Sequence, residues 1–478
     1  MSPQPDILND VLGPVMVGPS SSHTAAPACI GRMVTDICGG VRRAEILYSR
    51  TGSYAATLRG QASDRGFAAG LLGLACDDAD LPRALDLARA RGLGIVFSAV
   101  PEDFDHPNRA IIRAVGEDGI SHEIASLSVG GGHILITAID GAPVEIDGRR
   151  DLSIRFEGGV EVGEPRLVRG GRLLRRVTPV ASDPSRRPPF DSARLLENAR
   201  PPEDALAEAA LAYEGALSGW DEERLLARLD RVLTVMDAAA HGGLALRSSP
   251  HFRYLKPSAA GMAARRADFV PSGILEEGIV IATAVMEHNR NMGVIVAAPT
   301  AGSAGVLPAV LLPLLRAGRI PRRAALRALA AAGLVGALVL ARATFAAEEA
   351  GCQAENGTAS AMAAAALCDL RGAPARIALR AAALALSNQL GLVCDPVGGG
   401  VEIPCIARNA AAAAGAVAAA NMALGGFDPL VPLDEVAAAM AAIGREMPAS
   451  LRCTARGGLA ATPTAVAASS PRTEGARR

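Results

Sequence analysis

Apolar residues follow different periods in the two halves of this chain. In the first 145 residues, short runs rich in β-branched side chains alternate in places with polar positions, which predicts strands separated by helical segments. The predicted strands are 44–49, 94–100, 110–115 and 134–140, and the predicted helices are 27–38 and 64–74. Residues 1–145 are therefore expected to form an α/β domain.

From residue 191 to about 460 the apolar residues recur at helical spacing. Helices at 206–217 and 222–239 are predicted to be amphipathic. Later ones are rich in alanine and leucine nearly all round, which is typical of helices buried in a bundle; they are 323–342, 359–370, 375–392 and 406–424. The whole chain is thus expected to be an α+β protein, with the N-terminal α/β domain followed by a large all-α domain.

Two segments carry no such pattern. Residues 146–190 are rich in Arg, Gly and Pro and are predicted to be a linker with a few poor strands. The last segment, 461–478, is rich in Ala, Ser, Pro and Arg and is expected to be disordered.

Composition restricts the possible partners. The 478 residues have a net charge of −1 and only 3% aromatic side chains, so neither nucleic acid nor an anionic membrane surface is an expected partner. The longest uncharged apolar run of the helical half, 328–341, spans 14 residues and is too short to cross a bilayer. Asp6 and Asn9 interrupt any secretory signal, and eight cysteines do not make a disulfide framework, so a cytoplasmic protein with reduced thiols is expected.

Three cysteines of the helical half are the first candidates for chemistry. Cys352 lies in the run GCQAE, and Cys394 and Cys405 bracket the loop CDPVGGGVEIPC. Thiolates brought together from loops between helices suit an iron–sulfur cluster or a zinc ion, and three rather than four would leave one metal position open. The alternative is that these are ordinary buried cysteines, because the spacing between Cys394 and Cys405 is not a familiar ligand spacing.

Two polar loops are candidate binding sites. GPSSSHT, which includes Ser21, Ser22, His23 and Thr24, precedes a predicted helix and offers hydroxyls and one imidazole at its N-terminus. The alternative is a simple capping cluster. The second loop, PTAGSAG, contains Thr300, Gly302 and Ser303, whose backbone N–H groups could cradle a carboxylate; the alternative is a flexible entry to a helix.

Six motifs occur in one order over residues 11–464. They are GPSSSHT, SVGGGH at 128–133, APTAGSAGVLPAVL at 298–311, GCQAE at 351–355, CDPVGGGVEIPCIARNA at 394–410 and RGGLAATPT at 456–464. With them the chain resembles the iron–sulfur-dependent L-serine dehydratases, in a form that fuses the small beta part to the helical alpha part.

The resemblance implies a cofactor and a reaction. Cys352, Cys394 and Cys405 match the cysteines that hold a [4Fe–4S] cluster with one open iron. The implied reaction is β-elimination of an amino-acid substrate, L-serine, to pyruvate and ammonia. The loops holding Ser21, Ser22 and Thr24, and Thr300, Gly302 and Ser303, would bind the substrate.

The sequence departs from the family pattern around the expected substrate. Gln61 stands where the family has a histidine associated with proton abstraction, Cys453 stands where glutamate is expected, and Glu348 and Glu349 are additions before GCQAE. Because Gln61 cannot act as a base, His23 is the leading candidate, followed by His106 and His133.

Three alternatives remain open from these departures. The substrate could be another β-substituted amino acid, such as threonine or cysteine. The protein could be a non-catalytic iron–sulfur sensor. A pyridoxal-phosphate enzyme would need Lys256, the only lysine of the chain, whose sequence context is not the expected one. The small-residue helical surfaces further predict a homodimer.

Overall fold

The computed structural model of this chain describes residues 4–165, 171–180, 188, 191–193, 195 and 205–469. Its strands are β1 Val15–Val17, β2 Val41–Ser49, β3 Gly94–Val100, β4 Arg109–Gly116, β5 Ser121–Ser128, β6 Ile134–Ile139, β7 Ala142–Ile146, β8 Leu152–Arg155, β9 Glu161–Gly163, β10 Arg172–Leu174 and β11 Val294–Val296. Helices of the first half are α1 Ala26–Cys38, α2 Ser53–Thr57, α3 Ser63–Leu71 and α4 Ala84–Ala90.

A six-stranded mixed sheet organises the first half. Its order is β3-β2-β4-β5-β6-β7, and every neighbouring pair is antiparallel except β2 and β3. The β2–β3 pair is parallel because α2, α3 and α4 carry the chain back between them. The four predicted strands are confirmed, and β5 and β7 are strands that the sequence analysis did not predict.

Helix α1 supplies the apolar layer against this sheet. Ile30, Met33 and Ile37 recur on one face of α1 and are buried in one cluster with Ile46 and Ile112 of the sheet. The helix ends at Gly39, whose left-handed φ of 67° is the usual helix C-terminus. This packing holds α1 in place, and the polar loop GPSSSHT lies just before its start.

The second half is a bundle of helices. They are α5 Leu206–Ser218, α6 Glu222–Ala245, α7 Ala259–Ala264, α8 Ile274–Arg290, α9 Val306–Arg316, α10 Arg322–Leu340, α11 Ala347–Ala350, α12 Thr358–Leu370, α13 Ala375–Ser387, α14 Cys405–Leu424, α15 Leu433–Glu446 and α16 Pro463–Ser469. The predicted helices of this half are confirmed to within a few residues, and with them the α+β fold class.

Helix α10 lies in the centre of the bundle. It is the only helix among the described residues that is long and apolar enough to cross a membrane, and 78% of its apolar window is buried inside the fold. Burial of that extent is what a core helix shows.

The N-terminal residues belong to the helical core rather than to the α/β domain. Ile7 and Val11 are fully buried and lie against Gly333 and Gly336 of α10, where any side chain on either glycine would overlap them. β1 then pairs antiparallel with β11 of the helical half. The prediction that the α/β domain begins at residue 1 therefore needs correction, because the first turns of the chain fill a groove in α10.

The predicted linker and tail are partly ordered. Within 146–190, β8, β9 and β10 form a small antiparallel sheet in the order β10-β8-β9. The tail was expected to be disordered from 461, but α16 is helical, and Ser469 accepts hydrogen bonds from Arg253 and contacts the Tyr254 hydroxyl. Residues 470–478 lie outside the described part of the chain.

Candidate active site

One cavity is lined by residues of both halves of the chain. From the first half come Ser20, Ser22 and Gln61; from the second come Gly302, Ala347, Glu348, Glu355, Cys394, Pro396, Val401, Cys405 and Cys453. The serine loop and the cysteine loops, which are separated by more than 300 positions, thus meet at one place. A site that needs groups from both loops is available here.

Asn289 of α8 connects the two polar loops that were predicted from sequence. Its buried side-chain amide donates hydrogen bonds to the carbonyl oxygens of Pro19 (3.0 Å) and Ala301 (3.0 Å). Only glycine fits at position 18, because a Cβ there would overlap Asn289. Asn289 therefore links the serine loop to the Thr300 loop through two hydrogen bonds from one side chain.

The triple glycine of the cysteine loop allows the two halves to approach closely. Gly399 has a φ of 74°, and a Cβ there would collide with the carbonyl oxygen of Ala56 in α2. Gln61 Nε2 donates to the Gly399 carbonyl over 3.2 Å. The loop that ends in Cys405 is therefore seated directly on the α/β half.

Three buried thiols line the cavity, and a fourth, that of Cys352, lies next to them. Cys352, Cys394 and Cys453 lie in one cluster, and Cys405 lines the cavity at the start of α14. Ligand atoms of Cys352, Cys394 and Glu355 lie within 4.8 Å of one another, while Cys405 is outside that tight group. These four cysteines are a donor set of the kind that metal centres use.

The remaining cysteines lie elsewhere. Cys368, for example, is directed at the Ala420 carbonyl in the bundle core (3.9 Å), and burial raises its pKa to about 12. That environment is typical of an inert structural cysteine.

Arg408 places a positive charge beside one of the four thiols, that of Cys352. Its guanidinium lies 3.4 Å from Cys352 Sγ and is held by the Val393 carbonyl and the Asp395 carboxylate, each at 2.8 Å. A hydrogen bond with Cys394 lowers the pKa of Cys352 against the effect of burial, and the Arg408 charge lowers it further. The sequence analysis missed Arg408, although it is one turn after Cys405 in the motif CIARNA.

Of the Thr300 loop, only Gly302 lines the cavity. A Cβ at Gly302 would lie 2.7 Å from Glu355 Oε1, so the glycine leaves room for that carboxyl group. Thr300 donates its hydroxyl to Glu355 (2.7 Å), and Ser303 contacts the Thr300 hydroxyl (3.2 Å). Thr300 and Ser303 thus support Glu355, which the sequence analysis did not single out, and burial raises the pKa of Glu355 well above its usual range.

His23 does not line the cavity, but it contacts Ser22, which does. It is fully buried, with Nδ1 2.8 Å from the Ser22 hydroxyl and Nε2 2.9 Å from the Ser53 hydroxyl. Burial lowers its pKa to about 3, so the imidazole is neutral. Ser22 lines the cavity and links His23 to it.

The other members of the serine loop have supporting roles. Thr24 donates to the Gln61 carbonyl (2.7 Å), and the Ser21 hydroxyl accepts from the Ala301 backbone (3.4 Å). These two residues thus hold neighbouring loops, whereas Ser20 and Ser22 present hydroxyls to the cavity.

The other two candidate histidines do not line the cavity. His106 Nε2 lies 3.2 Å from Glu349, and its neighbour Asn108 donates to Glu348, which does line the cavity. His133 lies 3.3 Å from Asp10, in a separate buried cluster with Arg149. Burial raises the pKa of Glu348, which makes this carboxyl group a proton-transfer candidate in the cavity wall.

Two of the departures from the family pattern, Gln61 and Cys453, touch each other. Gln61 Nε2 lies 3.5 Å from Cys453 Sγ, and both side chains line the cavity. Cys453 is held against the cysteine loop by its backbone N–H, which donates to the Cys394 carbonyl (2.9 Å). Lys256 is exposed and does not line the cavity, so the pyridoxal-phosphate alternative lacks its essential group.

Comparison with known proteins agrees with this arrangement. The family described as "Serine dehydratase alpha chain" matches residues 172–460. The L-serine dehydratase of Streptomyces coelicolor is 33% identical over 93% of this chain and 96% of its own length. "L-serine dehydratase 2" of Escherichia coli is 30% identical over the same shares, and the "Probable L-serine dehydratase, alpha chain" of Bacillus subtilis is 39% identical over 56% of this chain and 90% of its own.

The variant Asn289→Asp tests whether this side chain holds the serine loop and the Thr300 loop together. The substitution keeps the size of the side chain but removes both donated hydrogen bonds, which leaves the Pro19 carbonyl without a partner and the Ala301 carbonyl with only the Ala304 N–H (3.4 Å), and it adds a buried charge. We expect a loss of about 2–5 kcal/mol in the free energy of unfolding. Chemical denaturation measures it, with the exposed Asn421→Asp as the control, for which a change within about 0.5 kcal/mol is expected. Equal effects of the two variants would contradict the role given to Asn289.

Proposed function

Because the chain belongs to the serine dehydratase family, we propose that it catalyses the β-elimination of water from L-serine, with pyruvate and ammonia as the final products. The family resemblance predicted from six motifs is confirmed by relatives that match nearly the whole single chain. The observation that carries the proposal is that Ser22 of one half and Cys394 and Cys405 of the other line one cavity.

A [4Fe–4S] cluster is the proposed cofactor. Cys352, Cys394 and Cys405 would hold it, which fits a buried set of thiols with Arg408 beside Cys352 to balance thiolate charge. When bound, such a cluster supplies a Lewis-acidic iron that stabilises the departing hydroxide.

The protein side chains have the task of binding and orienting the substrate. We propose that the hydroxyls of Ser20 and Ser22, and the Thr300 loop with Gly302 at the wall, receive its carboxylate and ammonium groups. Asn409 fixes that loop to α14 by donating to the Gly302 carbonyl (2.8 Å) and accepting from the Gly305 N–H (2.9 Å). The proposed substrate loop is therefore attached to the start of α14, the helix that begins with Cys405.

The α-proton needs an acceptor that Gln61 cannot supply. His23 is the proposed acceptor, through a relay in which the Ser22 hydroxyl gives its proton to His23 Nδ1 while it takes one from the substrate. Glu348 is the second candidate, because its carboxyl group lines the cavity itself. His106 and His133 are less well placed, since each is paired with an acid away from the cavity.

A second candidate function is favoured by the contact between Gln61 and Cys453. An amide and a thiol, which are in contact here, stand where the family pattern has an imidazole and a carboxylate, so an acid–base pair of that pattern is missing from the cavity. The substrate could therefore be a different β-substituted amino acid, such as threonine or cysteine. A non-catalytic iron–sulfur sensor is the remaining alternative, which turnover of any amino acid would exclude.

We also propose a cytoplasmic homodimer. An exposed apolar group around the end of α14 supports self-association; its members are Met422, Leu424, Phe427, Leu430 and Val431.

The cluster proposal predicts the effect of single cysteine substitutions. Cys352→Ser, Cys394→Ser and Cys405→Ser should each lose iron, sulfide and visible absorbance in anaerobically purified protein, because a hydroxyl is a poor replacement for a thiolate ligand. Cys368→Ser is the matched control and should retain all three, since its thiol lies in the bundle core. Full iron and sulfide in all three site variants would exclude the proposed ligand set.

The proton-acceptor proposal predicts that His23→Ala and Glu348→Gln lower kcat by different factors. His23→Ala should lower kcat for L-serine by about 100-fold or more, the scale of a lost general base, with iron content unchanged. Glu348→Gln keeps the shape of the wall and should cost less than about 10-fold. The reverse order of effects would assign the proton transfer to Glu348, and near wild-type turnover of His23→Ala would remove His23 from the mechanism.

The substrate question is tested at the Gln61–Cys453 pair. We expect Gln61→His combined with Cys453→Glu to raise kcat/KM for L-serine more than the product of the two single effects, because the groups touch and act as a unit. An anaerobic screen for ammonia release from serine, threonine and cysteine, run on wild type and all three variants, gives the comparison. If wild type prefers another amino acid and the double variant prefers serine, the second candidate function is the correct one.

A further inference from the structure

A second cavity, separate from the cysteine site, lies between the two halves and is lined by four arginines. Its volume is about 230 Å³. The arginines are Arg32 of α1, Arg176 after β10, and Arg228 and Arg231 of α6. The one acidic residue in its wall is Asp77.

The charges around this cavity are not balanced by the residues described. Arg176 has a distant partner in Asp151 (3.8 Å), while Arg228 has no ion pair in the described part of the chain. Arg228 Nε is buried and without a hydrogen-bond partner there. Burial and the neighbouring Arg231 lower the pKa of Arg228, and the opposite effect of Asp77 only partly offsets them. Such a group is costly unless an anion joins it.

The geometry points to a binding site for a phosphate-type oxyanion in this cavity, and we propose that a phosphate group is its ligand. Guanidinium groups bind phosphate oxygens through paired N–H donors, and four of them exceed what one carboxylate can neutralise. The wall also has apolar members, Val15, Leu74 and Val177, so the space admits a small organic group esterified to the phosphate. Free phosphate and a small phosphomonoester share the chemistry that the site recognises.

The position of this cavity connects it to the active-site loop. Val15 of β1 and Ala28 and Arg32 of α1 line the cavity, and the serine loop is the segment between β1 and α1. Arg228 and Arg231 belong to the helical half. An oxyanion here would therefore join the two elements that flank the serine loop to α6.

Calorimetric titration of the full-length holoprotein tests the site. The probes are inorganic phosphate and glycerol 3-phosphate, at constant ionic strength, with glycerol and sodium chloride as blanks. We expect saturable binding with one site per chain for at least one of the two probes. The tighter probe then identifies the source, free phosphate or a phosphate ester.

Variants on both sides of the cavity make the result specific. Arg228→Gln and Arg32→Gln should each weaken binding about 10- to 100-fold, the factor for one lost charge-assisted hydrogen bond. Arg224→Gln is the control: it is on the same helix, but its guanidinium lies over the Trp220 ring (4.0 Å), and binding should stay within about twofold.

Three outcomes would overturn the proposal: no saturable binding of either probe to wild type, wild-type binding by both cavity variants, or an equal loss in Arg224→Gln. If Arg228→Gln fails to fold by circular dichroism, Arg32→Gln in the other half decides. Since binding is measured without turnover, the result is independent of the proposed dehydratase activity.

Discussion

The amide of Asn289 is the constraint on which the active-site cavity depends. A single buried side chain holds the carbonyl groups of Pro19 and Ala301, and so sets the distance between the loop that offers hydroxyls and the loop that supports Glu355. The approach is close enough that Gly18 admits no side chain. In the cysteine loop, Gly399 likewise admits no side chain, because a Cβ there would meet the Ala56 carbonyl of α2. The loops that supply the cavity are therefore positioned by one buried amide and by a close backbone approach between the halves.

This arrangement creates a division of polarity inside the cavity. The thiols lie on the helical side with Arg408 behind Cys352, whereas the hydroxyls of Ser20 and Ser22 lie on the α/β side. Between them, Gln61 and Cys453 form a neutral contact. Burial raises the pKa values of the Glu348 and Glu355 carboxyl groups. The carboxylate and ammonium groups of an amino acid would thus meet hydroxyls on one side and thiols on the other, while Arg408 is paired with Asp395 and does not itself line the cavity.

The sequence predicted the elements well where periodicity was strong, and residues from its motifs GPSSSHT and CDPVGGGVEIPCIARNA line one cavity. β2, β3, β4 and β6 follow their apolar alternation, and the buried helices follow their alanine and leucine content. β5 escaped prediction although its burial alternates regularly, because small and polar residues such as Ser126 face inward. Burial of His23, the contact between Gln61 and Cys453, and the guanidinium of Arg408 at Cys352 could not be predicted, since each depends on residues that are distant in sequence or on the tertiary environment.

The docking of Ile7 and Val11 against Gly333 and Gly336 has a consequence for biosynthesis. The first turns of the chain leave the ribosome long before α10 exists, and α10 begins at Arg322. At the usual speed of translation, roughly 15 to 65 s pass between the two events. During that interval Ile7 and Val11 lack their native partner, so they are exposed to chaperones and to premature contacts. Fusing both halves in one chain secures their stoichiometry, and it also makes this segment wait for a helix that begins more than 300 positions later.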